Sequence, residues 1–71
     1  MRITIYVHIE DLENLNTAIT ALGSKRDCEN AMVESVRILK NTAEDYIETS
    51  ISYHEYIKCN DLGIFEELLS L

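Results

Sequence analysis

Two adjacent basic residues, Lys25 and Arg26, follow Ser24 where the sequence predicts that a helix begins. The helix macrodipole disfavours cations at this position, which makes the pair unusual. Together with the free N–H groups of a first helical turn, they would form an anion site suited to phosphate. The alternative is that both side chains extend into solvent, since no glycine-rich phosphate-binding motif accompanies them.

Two segments with alternating polar and apolar residues could hold the rest of a ligand. This alternation predicts half-buried strands over residues 2–9 and 46–58. If the strands pair antiparallel, the rings and hydroxyl groups of their polar face could stack on a base and hydrogen-bond its edges. The same face would suit a protein contact, and an ordinary solvated face is the third interpretation. The predicted ligand-binding residues are Arg2, Tyr6, His8, Lys25, Arg26, Ser52, His54 and Tyr56.

Metal binding and nucleophilic catalysis find no support in the sequence. The spacing of Cys28, Cys59, His8 and His54 matches no zinc pattern, and no nucleophile motif is present. The many carboxylates are typical of solvated faces. We therefore expect no metal, no cofactor and no enzymatic activity.

Helical periodicity separates the two predicted strands. Asp11 is placed to cap a first helix, and Gly23 to end it. Ser24 and Asp27 then form the pattern of a capping box, which predicts a second helix. One unbroken helix over residues 11–41 is the alternative, but it would put two charges on the buried face. The apolar stripe predicted for the second helix is Cys28, Ala31, Met32, Val36 and Leu39.

The predicted fold class is α+β, a small β-α-α-β-α single domain over residues 1–71. Residues 46–58 form one long strand or two short strands around Ser50, and Asn60 or Asp61 caps a terminal helix. Two strands make a marginal sheet with open edges. We therefore expect homo-oligomerisation, as a dimer or tetramer, to complete the sheet. The apolar stripe of the terminal helix is predicted to be Leu62, Phe65, Leu68 and Leu69.

The formal net charge of −7 limits the classes of binding partner that we expect. Residues 44–71 carry −6 of it, which disfavours nucleic acid and anionic lipid and favours a basic protein. No apolar run is long enough to span a membrane, and the alternating N-terminus differs from a signal peptide. The cysteine spacing suits a reducing compartment, so we expect a cytoplasmic protein. The absence of proline and tryptophan suits an AT-rich genome, such as that of a phage. A phage origin would place the protein in the host cytoplasm.

Residues 1–40 loosely resemble the ribbon-helix-helix DNA-binding proteins, in which an alternating N-terminal strand precedes two helices. The resemblance implies a dimeric ribbon whose polar side chains read the major groove. It contains no specific motif, and the long second strand and the negative charge depart from the family's pattern. The groove-reading residues that it implies are Arg2, Thr4, Tyr6 and His8.

Three functions follow as predictions. The leading one is a non-enzymatic, homo-oligomeric binding protein that sequesters a small phosphorylated, nucleotide-type ligand at a subunit boundary, in the manner of a phage counter-defence protein. The second is an acidic protein–protein inhibitor of a host protein that acts on nucleic acid. The third is a ribbon-helix-helix-like transcriptional regulator. The second would use the carboxylates of Glu44, Asp45, Glu48, Glu66 and Glu67.

Overall fold

The strand predicted at the N-terminus lies in the middle of a four-stranded mixed sheet. The structure, a computed structural model, describes residues 1–67 and contains three α-helices and four strands in that range. A short 3-10 turn, Ile9–Asp11, joins the first strand to the first helix. The elements are β1 (Arg2–His8), α1 (Leu12–Thr20), α2 (Lys25–Asn30), β2 (Val36–Leu39), β3 (Tyr46–Ser52), α3 (Tyr53–Asp61) and β4 (Phe65–Glu67).

The strands lie in the order β3-β1-β2-β4. β1 pairs antiparallel with both of its neighbours, with Ile5 opposite Thr49 and Tyr6 opposite Leu39, and β4 pairs parallel to β2. The predicted α+β class and the antiparallel pairing of the two long strands are confirmed. The predicted two-stranded sheet is wrong, because the same chain supplies two further strands. Completing the sheet therefore does not require a second copy.

The helices cover one face of the sheet and enclose the core. Ile5 and Val7 alternate along β1 with polar residues and are buried, as alternation in a half-covered sheet requires. They meet Leu15 and Ala18 from α1, while α2 and α3 each contribute a buried cysteine. The opposite face, which we call the outer face, is turned towards solvent.

The predicted break at Gly23 is confirmed. α1 ends at Thr20, and Ser24 caps α2 by accepting a hydrogen bond from the Asp27 main-chain N–H at 3.1 Å. The Asp27 carboxylate packs so closely that a Cβ at Gly23 would lie 2.8 Å from its Oδ2 atom. A side chain at position 23 would therefore displace the Asp27 carboxylate from its place at the first turn of α2.

The second helix is much shorter than predicted. It ends in a Schellman motif, in which Val33 N–H donates to the Cys28 carbonyl and Met32 N–H donates to the Glu29 carbonyl, both at 3.0 Å. Met32 occupies the left-handed position, with φ of 59°, and is 82% exposed instead of buried. The continuation of the predicted stripe, Val36 and Leu39, belongs to β2.

The long second strand is also shorter than predicted, because a helix begins at Tyr53. Ser52 and Glu55 form a full capping box: the Ser52 hydroxyl accepts from Glu55 N–H at 3.0 Å, and the Glu55 carboxylate accepts from Ser52 N–H at 2.8 Å. This Ser-x-x-Glu signature decides the local structure against the alternating pattern that continues to residue 58. His54 and Tyr56 consequently lie on a helix.

The predicted terminal helix is wrong where the structure describes it. A second Schellman motif, with Gly63 at φ of 71°, ends α3, and Ile64 N–H donates to the Cys59 carbonyl at 2.9 Å. The turn directs Phe65 into β4, opposite Val36 of β2. Leu68 and Leu69, the rest of the predicted stripe, lie outside the described residues.

Candidate functional site

The polar face predicted for the two long strands is present as the outer face of the sheet. Its two strands are in register, with Arg2 opposite Ser52 and His8 opposite Tyr46. This face contains four of the predicted ligand residues. They are Arg2, Tyr6, His8 and Ser52.

Arg2 is the exposed cation of this face. Its guanidinium donates to the Ser50 hydroxyl at 3.1 Å and to the Ser50 carbonyl at 2.8 Å, so it is held along β3. The neighbouring Tyr6 hydroxyl donates to the Glu48 carboxylate over a longer distance of 3.4 Å. Glu48 therefore places a negative charge on the same face as Arg2, which makes the face mixed in charge and a weak match for phosphate.

His8 has a structural contact for its ring nitrogen. Its Nδ1 accepts from the Glu10 main-chain N–H at 3.1 Å and so caps the turn that follows β1. The ring packs edge-on against Tyr46, with 5.1 Å between centroids, and the side chain is only 15% exposed. Because Nδ1 is the acceptor, the neutral ring carries its proton on Nε2.

An ion pair that the sequence did not reveal fixes the same end of the sheet. Arg37 binds Asp11 through two side-chain hydrogen bonds, at 2.8 and 3.0 Å, and donates its main-chain N–H to the same carboxylate at 2.9 Å. These hydrogen bonds lower the pKa of Asp11 to about 2 and raise the pKa of Arg37. Asp11 therefore ties the start of α1 to β2. The sequence predicts instead that Asp11 caps this helix, and that prediction is wrong.

Lys25 and Arg26 lie in the first turn of α2, both exposed. This turn belongs to the helical side of the molecule, because Cys28 of the same helix enters the core. The Asp27 carboxylate lies at the same turn and supplies the negative charge that the helix N-terminus favours. Anion binding by Lys25 and Arg26 stays a prediction.

The remaining predicted residues are separated by the helix that begins at Tyr53. His54 is exposed in the first turn of α3, whereas Tyr56 is half-buried and its ring lies 5.7 Å from that of Phe65. The hydroxyl of Ser52 is engaged as the cap of the same helix. One chain thus brings Arg2, Tyr6 and His8 to one face but leaves Lys25 and Arg26 on the other side.

A second surface, which sequence reasoning missed, gathers carboxylates from distant segments. Ile9 N–H donates to the Asp45 carbonyl at 2.8 Å, which places the loop containing Glu44 and Asp45 beside Glu10. Glu10 and Glu13 line an open depression of about 300 Å³ together with the exposed Met32. We call this surface the acidic end and define it as Ile9, Glu10, Glu13, Met32, Glu44 and Asp45.

The loop that carries Met32 is clamped to α1. The side-chain amide of Asn14 donates to the Glu34 carbonyl, and its oxygen accepts from Glu34 N–H at 3.1 Å. Both main-chain groups of Glu34 are therefore held by one side chain of the first helix. This clamp positions the left-handed Met32 next to the depression without a contribution from the sheet.

The two cysteines have a structural role in the core. Both are free and buried, and burial raises the pKa of the Cys59 thiol to about 11. Such a thiol is a poor nucleophile and a poor metal ligand. Within residues 1–67, no three His, Cys, Asp or Glu side chains converge in a way that could hold a metal ion.

β1 is paired on both sides within the chain, which leaves no free edge for the dimeric ribbon of the ribbon-helix-helix proteins. None of the helices in the described part of the chain has the length and apolarity needed to cross a membrane. Comparisons with protein-family models, curated proteins and solved structures returned no match.

Proposed function

We propose that the chain is a non-enzymatic binding protein that contacts a basic protein through its acidic end. The observation that carries the proposal is that Glu10 and Glu13 line one depression with the exposed Met32, while the main-chain hydrogen bond from Ile9 to Asp45 holds a further acidic loop beside Glu10. Ile9 is 52% exposed and Met32 is 82% exposed. Exposed apolar groups beside several charges of one sign are suited to a partner that carries the opposite charge.

The depression fits the chemistry of a lysine or arginine side chain. The aliphatic part of such a side chain can pack on Met32, whose flexible thioether adapts to varied shapes. The charged group can then reach the carboxylates of Glu10 and Glu13 at the rim. Met32 and these carboxylates therefore complement the two halves of one basic side chain.

Little local positive charge opposes this role. Arg37 is the cation nearest to the acidic end in the described part of the chain, and Asp11 already neutralises it. Glu10 lies 3.5 Å from Arg37 but keeps a 73% exposed side chain. Nucleic-acid-binding proteins present clustered lysine and arginine, so they form the class of partner that we propose.

The acidic surface differs from the one that the sequence suggested. Glu44 and Asp45 belong to it, but Glu67 pairs with Lys40 at 3.7 Å and Glu48 accepts a hydrogen bond from Tyr6. Glu10 and Glu13, from the N-terminal part of the chain, take their place. The surface therefore combines carboxylates from both halves of the sequence.

The nucleotide-ligand prediction has weaker geometric support. A phosphorylated ligand held by Lys25 and Arg26 could contact Arg2 and Tyr6 only if these came from another chain. A homo-oligomer that joins the two sets stays a prediction. Titration of nucleotides and cyclic dinucleotides in a calorimeter distinguishes the proposals, since binding to a basic protein predicts no heat with any of them.

Neutralising the acidic end tests the proposal directly. The triple variant Glu13→Gln/Glu44→Gln/Asp45→Asn leaves Glu10 in its contact with Arg37. Proteins cross-linked to the wild-type chain in lysate of its source cells are identified, purified and titrated with both proteins. We expect the triple variant to bind its partner about tenfold more weakly, since each exposed ion pair contributes roughly 0.5 kcal/mol.

The control is the variant Glu29→Gln/Asp61→Asn/Glu66→Gln, which changes the net charge by the same amount at exposed positions elsewhere. It should bind within about twofold of wild type, with the remaining difference due to long-range attraction. Equal weakening by both variants would mean that only net charge matters. That result, or a partner without a basic surface, would refute the acidic end as the binding site.

A further inference from the structure

One edge of the sheet is long and unpaired within residues 1–67, since β3 bonds only to β1. The ladder is flanked by a bond from Ile9 N–H to the Asp45 carbonyl and one from Tyr53 N–H to the Met1 carbonyl, at 2.8 and 2.9 Å. Hydrogen-bonded positions alternate in an antiparallel pair. The odd-numbered residues of β3 therefore bond to β1, and the even-numbered residues point their main-chain groups at the free edge.

Both ends of this free edge are already engaged. Tyr46 N–H donates to the Ala43 carbonyl at 3.2 Å, and Ser52 N–H donates to the Glu55 carboxylate at 2.8 Å. Each bond removes the donor that a neighbouring strand would need at that position. Capping of this kind limits strand addition to the middle of the edge.

The middle of the edge stays open at two residues. In the described part of the chain, both main-chain groups of Glu48 and the N–H of Ser50 lack a hydrogen-bond partner. The Ser50 carbonyl accepts from the Arg2 guanidinium and keeps a second lone pair. Glu48 and Ser50 together thus offer two donors and two acceptors.

We propose that this edge pairs antiparallel with the same edge of a second copy, centred on Thr49. Glu48 of each copy then lies opposite Ser50 of the other, and each of the two pairs exchanges two main-chain hydrogen bonds. Centring the pairing on Glu48 would need Tyr46 N–H, and centring it on Ser50 would need Ser52 N–H. Both donors are already bonded, so the Thr49-centred register uses the open groups best.

Charge complementarity identifies a second copy as the occupant of this edge. The Arg2 guanidinium lies on Ser50, and Ser50 faces Glu48 of the second copy in this register. The two-fold axis therefore creates two Arg2–Glu48 ion pairs on the outer face. The opposite edge, β4, carries the exposed Glu66 and Glu67 in its described residues, and these carboxylates disfavour pairing with the same edge of a second copy.

The helical side of the sheet agrees with the same register. Ile47 points towards that side but is 43% exposed, because it lies at the uncovered edge. In the Thr49-centred pair, Ile47 lies beside Ile51 of the second copy. Ile51 is already buried within its own chain. Association therefore extends the apolar layer across the axis and joins two four-stranded sheets into one.

A charge exchange tests the contact with the chain alone, without any basic partner. Each of the variants Arg2→Glu and Glu48→Arg places like charges at both of the contacts that residues 2 and 48 make across the two-fold axis. We expect each variant to self-associate at least tenfold more weakly than wild type in sedimentation velocity at about 0.15 M salt, where long-range repulsion is screened. Mixed in equal amounts, the two variants restore both ion pairs and form a heterodimer as tight as the wild-type dimer.

A wild-type chain that stays monomeric at about 1 mM would overturn the proposal. A mixture that associates no better than either variant alone would do the same. Circular dichroism of each variant confirms that it is folded before association is measured. Neither outcome bears on the acidic end, which lies outside this edge.

A cysteine exchange tests the register. In this register, Thr49 faces Thr49 of the second copy in a non-hydrogen-bonded pair. The two Cα atoms of such a pair lie roughly 4.5 Å apart, which is within the range of a disulfide. Under mild oxidation, Thr49→Cys should form a linked dimer at least tenfold faster than Thr4→Cys, an exposed control on β1. Equal rates would refute this register. The native Cys28 and Cys59 are buried and leave the comparison clear.

Discussion

Several side chains that looked like ligand groups in the sequence hold the fold together. Ser52 caps α3, His8 caps the turn after β1, and Tyr56 packs against Phe65. A polar residue type on an alternating strand could not distinguish these roles, because each depends on a main-chain group brought near by folding. The Asp11–Arg37 pair was hidden for the same reason, since its partners are 26 positions apart.

Asp11 makes stability depend on acidity. The pKa of Asp11 is about 2 in the folded chain, below its ordinary value of 3.8, so the contribution of Asp11 to stability is complete above about pH 4 and is lost as the pH falls towards 2. We expect Asp11→Asn to lower the free energy of unfolding by about 2 kcal/mol at pH 7, and the difference to shrink below pH 4. Urea unfolding from pH 7 to pH 2.5 measures it, with the exposed Asp61→Asn as control. A difference that stayed constant over this range would contradict the ion pair.

Met32 combines backbone strain with exposure. A non-glycine residue at positive φ costs about 1 kcal/mol, so we expect Met32→Gly to raise the free energy of unfolding by roughly 0.5–1 kcal/mol. The same substitution should weaken binding of the basic partner by removing an apolar side chain that lines the depression. Ala31→Gly, at the preceding residue with negative φ, should instead lower stability. Thermal unfolding and titration of both variants check the two signs, and a Met32→Gly chain that is less stable would exclude strain at this position.

At the scale of elements, local signals succeeded where nothing competed with them. The alternation of residues 2–9 and the Ser24 cap predicted β1 and the start of α2 correctly. The Ser52-to-Glu55 capping box is equally visible in the sequence, but the alternating pattern continues through it and predicts a strand there instead. The end of α2 could not be predicted, since a methionine carries no signal for a left-handed turn.

Substitution of Ser52 tests whether the capping box stabilises α3. Removing an N-cap hydroxyl costs roughly 1 kcal/mol, so Ser52→Ala should lower the free energy of unfolding by about that amount and expose the start of α3 to hydrogen exchange. Ser50→Ala, on the same face of the same strand, removes only an exposed bond to Arg2 and should stay within about 0.5 kcal/mol of wild type. Urea unfolding ranks the three proteins. Equal losses would show that the cap does not stabilise α3.

For the whole molecule, the sequence predicted the fold class and the antiparallel pairing of its long strands but not the size of the sheet. β2 is short, and both β2 and the described part of β4 lie in segments whose apolar residues also fit a helical stripe. Only pairing with β1 and β2 settles their conformation, and that is a long-range contact. The acidic end depends equally on tertiary structure, because it joins a turn, a helix start and two loops.

A footprint on the complex tests the central claim most directly. Amide exchange of the chain, alone and bound to its basic partner, reports which main-chain groups the partner covers. We predict protection at residues 9–13, 31–33 and 43–46, with little change at Lys25 and Arg26. Protection confined to the outer face or to the first turn of α2, with the acidic end unchanged, would contradict the proposed function.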